Sequence, residues 1–192
     1  MNIRFHSLFP VFVLASLAAS AATRVTQSFD PGWKFFKGDV VGAEQSDFND
    51  AAWRTLDVPH DWSIEGPFDE KAPTRGAGGF LPSGVAWYRK HFSLPATDAL
   101  RRVFIEFDGV MQNSDVWING HLLGHRPFGY VSFRYELTGH LALGDKATNV
   151  LTVRADTSAQ LGFAPATGGD RFIRRRAGRV RYSGFEIRCR AR

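Results

Sequence analysis

The 192-residue chain has 24 Lys and Arg against 19 Asp and Glu, but the net +5 is unevenly spread. Residues 161–192 hold nine arginines against Asp170 and Glu186, or +7, and the other 160 residues carry −2, which argues against a nucleic-acid-binding body. A content of 44% hydrophobic and 14% aromatic residues excludes a disordered or collagen-like chain, and the length suits one domain without an additional (β/α)₈ barrel of about 250 residues.

Residues 1–7 are short and positive through Arg4, and residues 8–17 are apolar apart from Pro10 and Ser16. Ala19-Ser20-Ala21 then supplies the small residues that signal peptidase requires. Residues 1–21 are therefore expected to be a signal peptide, and the mature protein periplasmic or extracellular. The apolar run is too short to span a bilayer, which takes about 20 residues, so no membrane contact is expected after cleavage. The single cysteine, Cys189, cannot form an internal disulfide.

From residue 22 to residue 160, short apolar runs alternate with Gly, Pro, Asn and Asp turns. Residues 47–52 suggest one or two helical turns capped by Asp47 or Ser46. Residues 86–94 read as a strand ended by Pro95. In residues 102–107, Val103, Ile105 and Phe107 alternate with Arg102, Phe104 and Glu106, the period of a strand with one face in a core. Residues 115–119 form another β-run ending at Asn119-Gly120, a hairpin signal because both turn residues must accept positive φ. Residues 121–125 are the return strand, and 131–137 and 149–155 complete the set. Such spacing with almost no helix predicts an all-β antiparallel sandwich.

After residue 160 the alternation is lost and Arg174, Arg175 and Arg176 form a like-charge block. Residues 161–192 are expected to be an atypical, poorly ordered basic tail, with contact to an anionic surface as the less favoured reading. Trp87, Tyr88 and Trp117 lie on strands and read as core or sheet-face residues. His121 and His125 lie too far apart on a strand to share an ion, so no metal and no cofactor are expected.

Several strings then recur together: Val58-Pro-His-Asp-Trp-Ser-Ile-Glu-Gly66, Gly79-Phe-Leu-Pro-Ser-Gly-Val-Ala-Trp-Tyr-Arg-Lys90, Phe107-Asp-Gly-Val110, Ser114-Asp-Val-Trp-Ile-Asn-Gly120, Leu123-Gly-His125 and Phe128-Gly-Tyr130. As an ordered set, spanning about residues 29–160, they resemble the N-terminal sugar-binding domain of glycoside hydrolase family 2, especially its β-galactosidase-like members. The resemblance implies a jelly-roll, galactose-binding-domain-like sandwich. It also implies a later barrel carrying the two carboxyl groups of a retaining glycosidase, about 5–5.5 Å apart. Glu65, Glu70, Glu106 and Glu136 fall within the sandwich pattern, and no catalytic residue is assigned. The expected partner is carbohydrate, a β-galactoside-like sugar if other domains complete the site, with no nucleic acid. A free-standing, secreted lectin-like module is the alternative.

By this resemblance the sugar-facing element is the loop 72–79, where Gly76, Gly78 and Gly79 permit close backbone approach and Arg75 offers a forked donor. A surface loop ordered only by partner domains is the competing reading. Asp61 and Trp62 read either as an acceptor beside an aromatic platform or, preferentially, as a turn locking a loop onto the sandwich. The sequence departs from the family over residues 161–181, and Tyr182-Ser-Gly-Phe-Glu-Ile-Arg188 matches only part of the string that closes the sandwich in relatives. An insertion followed by truncation, or a frame shift near Gln160, would account for this. The expectation is a sandwich with an unpaired edge, reduced stability and a tendency to associate.

Overall fold

The computed structural model describes residues 25–74 and 79–158 and the backbone of one further strand, residues 187–191. Ten strands are arranged in two antiparallel sheets: β1 (Val25–Ser28), β2 (Trp33–Lys37), β3 (Arg54–Leu56), β4 (Val85–Phe92), β5 (Val103–Phe107), β6 (Ser114–Ile118), β7 (His121–Arg126), β8 (Phe133–Glu136), β9 (Asn149–Asp156) and β10 (Ile187–Ala191). One sheet has the order β1-β10-β5-β8 and the other β3-β2-β4-β9-β6-β7. Short 3-10 turns are the helical elements among the described residues. The expected all-β sandwich is what forms.

Alternation builds the core. Val103, Ile105 and Phe107 are buried on the inner face of β5, opposite Trp33, Phe35, Ala86, Tyr88, Val116, Ile118, Leu151, Val153 and Ala155 from the larger sheet. Strand β9, flanked by β4 and β6, is buried on both faces over its first five residues. At the expected hairpin, Asn119 and Gly120 have φ of 50° and 81°, the left-handed pair that matches the twist of β6 and β7.

The outer face of the larger sheet carries a second apolar cluster, in which Ala43, Trp53 and Trp87 are buried against Val40, Phe48, Val85 and Trp117. The segment between β2 and β3 lies over this face. Arg89 holds it there, donating to the carbonyls of Ala43, Gln45 (2.9 Å) and Phe48 (3.5 Å) and to the Asp50 carboxylate at 2.8 Å. This corrects the helix expected at residues 47–52, which form turns. Arg89 draws these carbonyls toward the sheet, the Gln45 carbonyl accepts from the Phe48 amide three residues on, at 3.3 Å, and Asn49 caps the Ala51 amide at 3.1 Å.

The expected open edge is also corrected. Strand β10 inserts between β1 and β5, with Ile187 opposite Phe107, Cys189 opposite Ile105 and Gln27, and Ala191 opposite Val103 and Val25. Within the stretch read as a disordered tail, these five residues thus supply backbone partners to both neighbours. The expected signal peptide, residues 1–21, and residues 161–186 of the tail lie outside the described residues.

Candidate functional site

Strand register gathers several connections at one end of the sandwich. Lys37 pairs with Ala86, Val85 with Asp156, Asp115 with Arg154, Ser114 with Arg126, and Phe107 with Phe133. The connections 66–84, 108–113 and 127–132 therefore all open there.

The base of the 66–84 connection is tied down. The Asp69 amide donates to the Phe80 carbonyl at 3.0 Å, and the Asp69 carboxylate accepts from the Lys71 amide at 2.8 Å. The Thr74 hydroxyl donates to the Leu81 carbonyl at 2.6 Å. Where the loop enters β4, the Gly84 amide donates to the Thr157 hydroxyl at 3.0 Å and the Thr157 amide returns a bond to Gly84 at 2.9 Å. Gly79 and Phe80 are both left-handed, with φ of 65° and 56°, so the returning limb reverses sharply before β4. Of the residues expected to face sugar, Gly79 sits on this limb; Arg75, Gly76 and Gly78 lie outside the described residues.

Asp61 and Trp62 support this loop from below. Asp61 Oδ1 accepts from the Ser63 amide at 3.0 Å and the Ser63 hydroxyl at 2.6 Å, capping the 3-10 turn Trp62–Glu65. Trp62 is buried in the main core, under Gly84 and beneath the Lys37 ammonium, which sits 4.6 Å from its ring. A face of the ring is thus covered by Lys37.

Beside the turn, His60 Nδ1 lies 2.9 Å from the hydroxyl of Tyr88, and its Nε2 lies 2.9 Å from Arg54 and 3.0 Å from Glu65. Arg54 grips both Glu65 oxygens, at 2.5 and 3.0 Å. Hydrogen bonding from Arg54, assisted by His60, outweighs desolvation and brings the Glu65 carboxyl down to about 2. Burial, reinforced by the Asp61 and Glu65 charges, pushes the Tyr88 phenol far up. Glu136 pairs with Arg102, at 2.5 Å. Each of these carboxylates is thus paired with an arginine at the surface of the sandwich.

An exposed aromatic pair escaped the sequence reading. Phe128 and Tyr130, 51% and 68% exposed, meet edge to face with centroids 5.6 Å apart on the 127–132 connection. Phe-Gly-Tyr carried no more than a string match; the flanking Pro127, which breaks strand β7, was the available sign that these rings leave the sheet. His121 stacks on His140 at 3.8 Å, and His125 contacts Asp115 at 2.7 Å, so the two histidines weighed for a metal have separate partners.

Residues 80–168 match the glycosyl hydrolase 2 galactose-binding domain-like family. A β-galactosidase from Bacteroides ovatus is 48% identical over 145 residues, spanning 76% of this chain and 17% of its own. A putative β-glucuronidase from Formosa agariphila is 37% identical over 151 residues, 78% of this chain and 14% of its own. A solved β-glycosidase from Bacteroides vulgatus, 48% identical, superposes with a TM-score of 0.66 over 69% of this chain and 17% of that one. The chain thus spans less than a fifth of the length of these relatives.

Proposed function

Because the chain carries the galactose-binding-like domain of glycosyl hydrolase family 2, we propose that it works as the N-terminal sugar-binding part of an exported, β-galactosidase-like glycosidase. Its share of the work is to present loops to a substrate pocket; the acid/base and nucleophile belong to another part of such an enzyme. The observation that carries this reading is the anchoring of the 66–84 connection. Its base is fixed by Thr74, Asp69 and the Gly84–Thr157 clasp, which hold residues 66–74 and 79–84 together at one end of the sandwich. The partner proposed is a β-galactoside, not nucleic acid or membrane.

Hydrolysis of a chromogenic β-galactopyranoside by the purified chain is the first test, and no turnover is expected; sustained turnover overturns the proposal. In a full-length relative, deleting the counterpart of residues 75–79 should lower kcat/KM by about 100-fold through lost substrate positioning. A loss confined to stability would count against the loop.

The exposed Phe128–Tyr130 pair favours a second reading, a secreted lectin-like module that binds sugar unaided. Saturable binding of a galactoside to the isolated chain, with a Kd from about millimolar to micromolar, would select it.

A further inference from the structure

At the end of the sandwich away from the 66–84 loop, the sheets part between β1 and β4 and leave a cavity of about 280 Å³. Its apolar lining includes Phe29, Phe92, Leu94, Val103 and Leu137. The Phe29 and Phe92 rings meet there edge to face, with centroids 5.0 Å apart. The polar lining consists of Gln27, Ser28, Ser93, Lys90, Asp98 and Arg101. His91 also borders the cavity, but its ring nitrogen contacts Asp50, 2.7 Å away.

The polar groups are unequally occupied. Lys90 is held by the Pro31 carbonyl and sits 4.7 Å over the Phe29 ring. Arg101 reaches Asp98 through Nε at 3.2 Å and pairs with no second carboxylate among the described residues. Two cations against one carboxylate give the lining a formal +1.

The geometry points to a binding site for a single pyranose bearing a carboxylate, a hexuronic acid, separate from the loop proposed to serve the glycosidase pocket. The volume equals about nine waters at 30 Å³ each, room for one substituted ring. Phe92, partly buried at the edge of the core, offers an apolar surface to the carbon face of a pyranose. Amide, hydroxyl and carboxylate groups suit its hydroxyls, and they would be desolvated without partners by a plain aromatic acid. The guanidinium of Arg101 matches a carboxylate in a way a neutral hexose cannot use.

Amide correlation spectra of the full chain, titrated with glucuronic acid, glucose or benzoate, test this. Glucuronic acid should bind saturably with a Kd of about 1–10 mM, shifting amides of Gln27, Ser93, Arg101 and Leu137, and glucose or benzoate should bind at least about tenfold more weakly. Arg101→Met should remove the preference for glucuronic acid over glucose. Asp98→Asn, which frees the guanidinium, should tighten glucuronic acid several-fold and leave glucose unchanged. Both substitutions lie on the rim, and unchanged spectra elsewhere verify folding. The assignment is overturned if no saturation appears up to about 50 mM. It is equally overturned if the shifts map to the 66–84 loop, or if the two variants leave the acid-to-glucose ratio unaltered.

Discussion

Gly109 and Gly129 meet backbone to backbone: a Cβ on Gly109 would lie 2.6 Å from the carbonyl oxygen of Gly129. On the other side, a Cβ on Gly129 would lie 2.7 Å from Cα of Met111. The 108–113 and 127–132 connections are therefore pressed together at the loop end of the sandwich with no room for a methyl group. Gly109→Ala or Gly129→Ala should destabilise the domain by about 1–3 kcal/mol in urea unfolding, through forced separation of the two backbones. Gly139→Ala, with nothing within 4 Å of the added carbon, should lie within about 1 kcal/mol of the parent. Equal effects at the three sites would discredit the contact.

Arg89 is fully buried, and Asp50 is its charged partner. Burial alone would raise the Asp50 carboxyl, but hydrogen bonds from His91 and Arg89 hold it below its ordinary value. Arg89→Met removes the guanidinium, leaves three carbonyls without that donor and leaves the buried Asp50 carboxylate with His91 in place of its charged partner. A loss of about 3–5 kcal/mol is expected. Faster amide exchange should appear in residues 43–53, together with a change in Trp53 fluorescence. The double variant Arg89→Met/Asp50→Leu should recover part of the loss; full additivity would argue that the pair does not act as a unit.

Glu65 sets an acid limit. Its carboxyl titrates at about 2 in the folded chain against 4.5 for the free group, so its contribution is present above pH 4.5 and fades as pH falls through 2. The pair with Arg54 is largely solvent-exposed, so the effect is modest, about 1 kcal/mol or less. Stability measured from pH 5 to pH 2 should fall less steeply in Glu65→Gln. A slope identical to the parent's would mean that the Arg54 contact does not persist in solution.

Asn119 joins three segments. Its Oδ1 accepts from the Val150 amide at 2.8 Å, and its Nδ2 donates to the His140 carbonyl at 2.7 Å and to Asn149 at 2.9 Å. Asn119→Gly keeps the left-handed turn but loses these bonds, and should lower stability by about 1–3 kcal/mol. A thermal unfolding curve matching the parent's would show that the turn geometry alone matters.

The strands with clean alternation and the Asn119-Gly120 hairpin were legible in the sequence because their determinants lie within a few residues of one another. The glycine strings around Gly109 and Gly129 were recognisable without revealing why each glycine stands there, since their contact joins separate loops. The turns at residues 47–52 were missed because the donor that reshapes them, Arg89, lies far along the chain. Strand β10 was hidden by arginine-rich composition, which outweighed a five-residue pattern whose partners come from β1 and β5. For Asp61 and Trp62, residue type fits both a ligand contact and a cap; the Ser63 bonds and the contact beneath Gly84 show the cap, and the second of these joins residues far apart in the chain.

Among the described residues, strand β1 is hydrogen-bonded to its sheet through β10 alone. On a translating ribosome, this first described ribbon therefore waits, without its hydrogen-bonding neighbour, until residues 187–191 emerge from the exit tunnel. A nascent chain stalled before that point would have a detached leading segment, an easy handle for chaperones and proteases.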